Sequence, residues 1–208
     1  MTTHVPDTAA RTRSRASLLL VFALFAAPVV LAWLLFFVFP DWVPTSTVNN
    51  GTLIKPVKPL PAFALTTVGG DSVDAGFLQG KWTFIYLHQG ACDRDCVEQL
   101  YKVRQVRLTQ GKNIDRLQRL MLWNAAGVNQ AARNELQQHF PGQVIALLPA
   151  DGNGLTRVFN VDGKPPLVAE RIYLVDPVGN LMMMYAPGDE PRGMVKDLER
   201  LLKYSGLG

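Results

Sequence analysis

Charged residues and metal-binding side chains are both scarce in this chain of 208 residues, of which 18% are charged, two are cysteine and three are histidine. Two cysteines cannot hold an iron-sulfur cluster, and with so few histidines they fall short of a four-ligand zinc site with ligands to spare. Nor can they staple a small disulfide-dense fold. Any metal or redox chemistry must therefore run through one pair, Cys92 and Cys96. Internal repeats and low-complexity tracts are missing as well, which excludes a solenoid. Excess charge is small: 21 basic against 17 acidic residues give +4, and Arg11, Arg13 and Arg15 against Asp7 supply +2 of it before residue 40. The remainder is nearly neutral, so no nucleic-acid footprint is indicated. Disorder is excluded by the hydrophobic content of 48%.

What the sequence does have is one long apolar run. LLLVFALFAAPVVLAWLLFFVF, residues 18–39, is 22 residues without a charge, and about 20 such residues cross a hydrocarbon core as a helix. Pro28 falls mid-span, where lipid-embedded helices tolerate it, and Trp33 and Trp42 are candidate interfacial anchors. The three arginines lie before the run, and only Asp41 follows it closely. The positive-inside rule then predicts a cytoplasmic tail (1–17), a transmembrane helix (18–39), a linker (40–60) and a periplasmic domain (61–208) at the inner membrane. The run exceeds a signal peptide's apolar core and no small-residue cleavage site precedes Asp41, so an uncleaved anchor is expected. The stretch after it, rich in Pro, Thr, Val and Asn, reads as a tether that keeps the domain near membrane-bound partners.

Beyond residue 60, apolar runs alternate with helical patterns, as in an α/β layer fold with a central mixed sheet flanked by helices. AFALTTVGGDSVD predicts two short strands around a Gly-Gly turn. KWTFIYLHQG (81–90) reads as a strand buried on both faces. A helix is expected from Asp93 to about Leu108, with Val97, Leu100, Tyr101, Val103 and Leu108 on roughly one side. A central strand within 116–127, a helix from about Asn129 to His139 and a strand within 143–149 follow. A short helix near 154–160 leads to the hairpin RIYLVDPVGNLMMMYA, whose Asp-Pro-Val-Gly-Asn supplies the turn. A closing helix from Pro191 to Tyr204 carries Met194, Val195, Leu198, Leu201 and Leu202 as its buried stripe.

Cys92 and Cys96 sit where a buried strand gives way to a helix. Unpaired amides and the helix dipole converge there and favour a thiolate. Arg94, Lys102, Arg104 and Arg107 reinforce that effect, whereas Asp93, Asp95 and Glu98 oppose it. A spacing of four allows a disulfide if the helix begins at or just before Cys92. It equally allows both sulfurs to hold one monovalent copper ion. Two small buried residues or a static disulfide is the plainer reading. His88, four residues before Cys92, is the candidate third metal ligand. Met182, Met183 and Met184 are soft donors better suited to core packing. His139 at a helix end and His4 in the tail are too remote.

These residues resemble the Sco/SenC family of thioredoxin-fold copper chaperones and thiol-disulfide reductases. The resemblance rests on the amino-terminal anchor, the lead-in FALTTVGGDSVDAGFLQGKWTFIYL, the C-x3-C pair opening a helix, and IYLVDPVGNL before the last helix. It covers about residues 60–204; the lead-in and the hairpin are shared with thioredoxin-like proteins and peroxiredoxins generally, and only the cysteine spacing narrows the match toward the Sco type. It implies a thioredoxin-like domain of the Sco/peroxiredoxin type and a role in assembling the copper centre of cytochrome c oxidase, whose copper subunit becomes the expected partner. It names copper as the candidate cofactor, with Cys92 and Cys96 as ligands. Asp93 and Val97 stand where the family carries prolines, and Leu167–Arg171 lacks the family's histidine ligand. The expected activity is thiol-disulfide exchange, Cys92 attacking and Cys96 resolving. Copper binding without catalysis and a purely docking assembly scaffold are the alternatives. A peroxidase ranks lower, because GACDRDC lacks the proline and threonine such sites use.

Overall fold

The structure, a computed structural model, describes residues 8–39, 48–149 and 152–205. His4, Asp41, Trp42 and the 40–47 part of the expected linker lie outside the described residues. The chain forms two compact units, 1–47 and 48–208. In the first, helix α1 (Thr8–Phe37) extends further toward the amino terminus than the apolar run alone predicts. Its Ser17–Phe37 portion is long and apolar enough to cross a membrane, and Pro28 lies within it.

The second unit holds a mixed sheet of eight strands: β1 (Thr52–Pro59), β2 (Ala64–Thr67), β3 (Ser72–Asp74), β4 (Trp82–Gln89), β5 (Leu117–Asn124), β6 (Val144–Leu147), β7 (Ile172–Val175) and β8 (Asn180–Tyr185). Helices α2 (Arg94–Leu108), α3 (Gln130–His139) and α4 (Pro191–Tyr204) complete it, with 3-10 turns at Ala75–Leu78, Gly111–Arg116 and Gly152–Phe159. The strand order is β1-β8-β7-β4-β5-β6-β2-β3. Strands β4, β5 and β6 run parallel, and β7 pairs antiparallel with β4. The hairpins β2-β3 and β7-β8 form as their turn residues predict.

Alternation along β4 explains why its sequence is apolar throughout. Trp82, Phe84 and Tyr86 face a cluster built with α2, α3 and α4, where Leu100, Val103, Leu136, Met194 and Leu198 are buried. Ile85 and Leu87 face the other cluster, closed by Phe63, Leu65, Leu78, Leu155 and Phe159. Each fully buried side chain of this size contributes about 1.5–3 kcal/mol, so β4 is held from both sides and its carboxyl end is a rigid platform.

The structure departs from the sequence reading in two ways that matter for the site. Residues 52–59, expected as part of the tether, form β1 against β8. Pro56 and Pro59 interrupt the strand pattern, and they are accommodated because β1 is an edge, where a missing N–H costs little; the Lys55–Pro56 bond is cis. The start of β1 is fixed by Asp197 of α4. Its buried carboxylate accepts from the Asn50 and Gly51 N–H groups at 3.0 and 2.9 Å, from Asn50 Nδ2 at 2.9 Å and from the Tyr185 hydroxyl at 3.3 Å. Burial, with Asp197 beside it, pushes the Tyr185 phenol above its usual range. The second departure is in α2, where Leu100, Val103 and Val106 are buried but Val97, Tyr101 and Leu108 are exposed. The buried stripe is rotated toward Cys96, Gln99 and Lys102. The Lys102 Nζ donates to the Pro187 and Asp189 carbonyls at 2.6 and 3.3 Å, tying α2 to the lead-in of α4.

Asp197→Ala strands four donors and is expected to lower stability by about 2–3 kcal/mol, the range for losing a charged acceptor of buried N–H groups. Asp197→Asn, which keeps one oxygen, should lose less. Denaturant unfolding of the full chain in detergent measures both, and an unchanged midpoint in Asp197→Ala counts against this tie.

Candidate functional site: a disulfide at a strand-helix junction

The junction is shaped by residues on both sides of the cysteine pair. Strand β4 ends at Gln89, and Gly90 turns the chain with φ +82°, a conformation side chains disfavour. Helix α2 then starts at Arg94, and the side chain of Asp93 caps it by accepting from the Cys96 N–H at 3.1 Å. Cys92 precedes the cap and Cys96 lies in the first turn. The helix therefore begins just after Cys92, not at it as the one-face reading of the spacing requires. The two sulfurs are nevertheless joined in a disulfide, with the Cα atoms 5.2 Å apart.

Three hydrogen bonds hold the loop before Cys92. The Gly90 N–H donates to the Asn124 carbonyl at 2.9 Å, and Trp123 Nε1 donates to the Gly90 carbonyl at 2.8 Å. His88 Nε2 lies 3.0 Å from the Ala91 carbonyl; a carbonyl only accepts, so Nε2 is the donor. The other ring nitrogen, Nδ1, is 2.9 Å from Glu170 Oε1, and the Tyr86 hydroxyl donates to Glu170 Oε2. Burial first, then Glu170, drive the Tyr86 phenol far above its usual range, so it stays a donor. Glu170 itself has φ +49°, uncommon for a residue with a side chain. Tyr86, Glu170 and His88 thus form one network beneath the loop that presents Cys92.

The two sulfurs differ in access. Cys96 has no exposed surface, whereas Cys92 is partly exposed. Cys92 opens on a groove of about 560 Å³ between α2 and α3. Of the two residues, only Cys92 offers an attacking thiolate any exposed surface.

Of the residues predicted from sequence, Cys92, Cys96 and His88 are brought to one end of the sheet, and His88 serves the loop. Both its ring nitrogens are engaged, the sulfurs are bonded to each other, and a hard carboxylate, Glu170, stands in the stretch where a histidine was sought. Among the described residues, no group of three or more His, Cys, Asp or Glu side chains is placed to hold a metal ion. In this oxidised arrangement the residues do not fit copper. Met183 is buried in the core. His139 lines the groove on α3. Glu170 is the site residue that the sequence reading does not name. Its signal is a lone acid two residues before the apolar strand β7, which pairs with β4 and its polar Tyr86 and His88.

A mixed sheet with a cysteine pair at the end of a central strand, the second cysteine in the first turn of the next helix, defines a thioredoxin-like protein. The chain belongs to the family of transmembrane-like, thioredoxin-like C-terminal domains, whose model matches residues 82–205. Among solved structures, copper-bound ScoI of Bradyrhizobium japonicum is 21% identical, with 68% of this chain and 98% of that one covered at a TM-score of 0.56. Copper-bound yeast Sco1 is 20% identical, over 73% and 96% of the two chains at 0.59. A putative protein disulfide isomerase of Bacteroides thetaiotaomicron is 15% identical, over 75% and 95% at 0.54. At these identities the likenesses establish a shared fold, the Sco fold expected from the sequence. No curated protein matches the chain.

Glu170→Ala takes the carboxylate from the buried Tyr86 hydroxyl and His88 Nδ1, leaving them only their 3.4 Å contact with each other, and is expected to destabilise the protein by about 1–3 kcal/mol. Glu170→Gln keeps an acceptor for Tyr86 and should restore most of the loss. Thermal unfolding of both variants is the check, and equal losses would show that the Tyr86 bond is not what matters.

Proposed function

We propose that this chain is a membrane-anchored thiol-disulfide exchange protein of the Sco type, its thioredoxin-like domain lying on the periplasmic side of the inner membrane. The observation that carries this reading is the asymmetry of the pair, Cys92 partly exposed and Cys96 buried at the start of α2. In the reduced state the Cys92 thiolate attacks a target disulfide and one target sulfur leaves as a thiolate. Cys96 then attacks the Cys92 sulfur and releases the second target thiolate, so two electrons pass to the target and the Cys92–Cys96 bond re-forms. The amino-terminal amides of α2 favour negative charge on sulfur during these steps. The loop's hydrogen bonds keep Cys92 within reach of Cys96.

The Sco/SenC resemblance suggests the target: the cysteine ligands of the copper subunit of cytochrome c oxidase, kept reduced before metal insertion. The arginines before the apolar run support the orientation, and α1 supports the anchor. Copper carriage by this chain is the second reading. It is favoured by the bound copper named for the similar Sco structures of B. japonicum and yeast, and it would need the disulfide opened and a third ligand found. It ranks behind exchange because His88 is already committed to Glu170 and Ala91.

Cysteine variants separate the two roles. Cys96→Ser should trap a mixed disulfide through Cys92 when mixed with a disulfide-containing target, whereas Cys92→Ser should trap at least about tenfold less, because its remaining thiol is buried. Non-reducing gels with peptide mapping read the adducts. Equal trapping by both variants would contradict the assigned roles.

A further inference from the structure

The end of the sheet away from the disulfide carries features that thiol exchange leaves unused. Trp82 opens β4 and the cysteine pair follows its last residue, so the length of that strand sets the two ends about 25 Å apart. At the Trp82 end a cavity of about 320 Å³ is lined by Trp82, by Leu201 and Tyr204 of α4, and by Asn49. Trp82 is 5% exposed and its indole N–H has no hydrogen-bond partner, a state that buried donors rarely keep. Tyr204 is 79% exposed and Val48 72%, so apolar surface continues from the cavity to the outside. The rim is cationic. Arg200 lines the cavity and donates to the Val48 carbonyl, and Lys203 Nζ lies 5.5 Å from the centre of the Tyr204 ring. Glu199 is the exposed acid beside them, and the Asp197 carboxylate is committed to Asn50 and Gly51.

A buried N–H, apolar walls, an exposed aromatic ring and cations at the rim match the boundary of a bilayer, where phosphates and ester carbonyls accept hydrogen bonds and acyl chains begin. The chain enters the domain at this same face, since Arg200 holds Val48 against α4. Only residues 40–47 separate Val48 from the apolar run, and fully extended they reach at most about 30 Å.

We propose that this end of the domain docks on the phospholipid bilayer: the cavity takes the glycerol-ester region of a lipid, the Trp82 N–H donates to an ester carbonyl there, and Arg200 and Lys203 meet lipid phosphate. The inference rests on the membrane-anchored reading and adds a lipid contact that orients the domain. Docked in this way, the domain holds its cysteine pair on the side away from the bilayer, about 25 Å above the lipid contact.

The experiment uses the oxidised full-length chain, in which the native pair is bonded and an added cysteine is the single thiol. Tyr204→Cys and Ala131→Cys, the second exposed on α3 at the disulfide end, each carry a bimane label in vesicles of phosphatidylcholine, phosphatidylglycerol and a lipid with a nitroxide headgroup. The label at position 204 is expected to be quenched at least about threefold more than the label at position 131. Adding Lys203→Glu to Tyr204→Cys should lower docking about fivefold at low salt, read as recovered fluorescence, because one cation's attraction to the anionic surface is lost. Equal quenching at the two positions, or none at position 204 in a chain that stays in the vesicles, would overturn the docking and leave the anchor standing. Fluorescence unchanged by Lys203→Glu would overturn the phosphate contact. Release of the chain from the vesicles by alkaline carbonate would overturn anchor and docking together.

Discussion

A covalent bond that joins the loop after β4 to the first turn of α2 is the constraint on which the site depends. Strand β4 is packed on both faces and cannot move, and α2 is fixed against the sheet by Leu100, Val103 and Val106 and to the lead-in of α4 by Lys102. The disulfide therefore joins a hydrogen-bonded loop to a fixed helix, with Cys92 before the Asp93 cap and Cys96 inside the helix. Opening it need not unfold anything, because the loop has its own hydrogen bonds, to the Asn124 carbonyl and from Trp123 and His88. Chemistry at Cys92 and stability of the domain are thereby uncoupled.

Beneath that loop, Tyr86 and His88 project from alternate positions of the same strand and meet Glu170 from the segment before β7. Polar groups in so apolar a setting are tolerated only when each has a partner, and here the partners are one another and the Ala91 carbonyl. The consequence is that an imidazole close to two sulfurs is spent on holding backbone. That commitment separates this site from one organised around a metal, even though the fold is shared with proteins named as copper-bound. Beside the loop, α2 turns Val97 and Tyr101 outward along a groove.

Much of this was legible in the sequence. The order of strands and helices, both hairpins and the limits of α4 follow from apolar runs punctuated by Gly, Pro and Asn, and the cysteine spacing located the junction. What was not legible has physical reasons. Strand β1 was hidden by its prolines, since only the sheet order reveals that it is an edge. The rotation of the α2 stripe was hidden because Val97 and Tyr101 look like core residues until Gln99 and Lys102 are seen to find buried partners or positions. Glu170 was hidden because its role is set by residues more than 80 positions away, a distance over which periodicity says nothing.

The most direct measurement is an equilibrium redox titration of the Cys92–Cys96 pair in the full-length protein against a dithiol buffer, read by alkylation and mass shift. An exchange-active bond is expected to have its midpoint above about −300 mV, within reach of cellular dithiols. A pair that stays oxidised well below that value is a structural staple, and would contradict a redox role for this site.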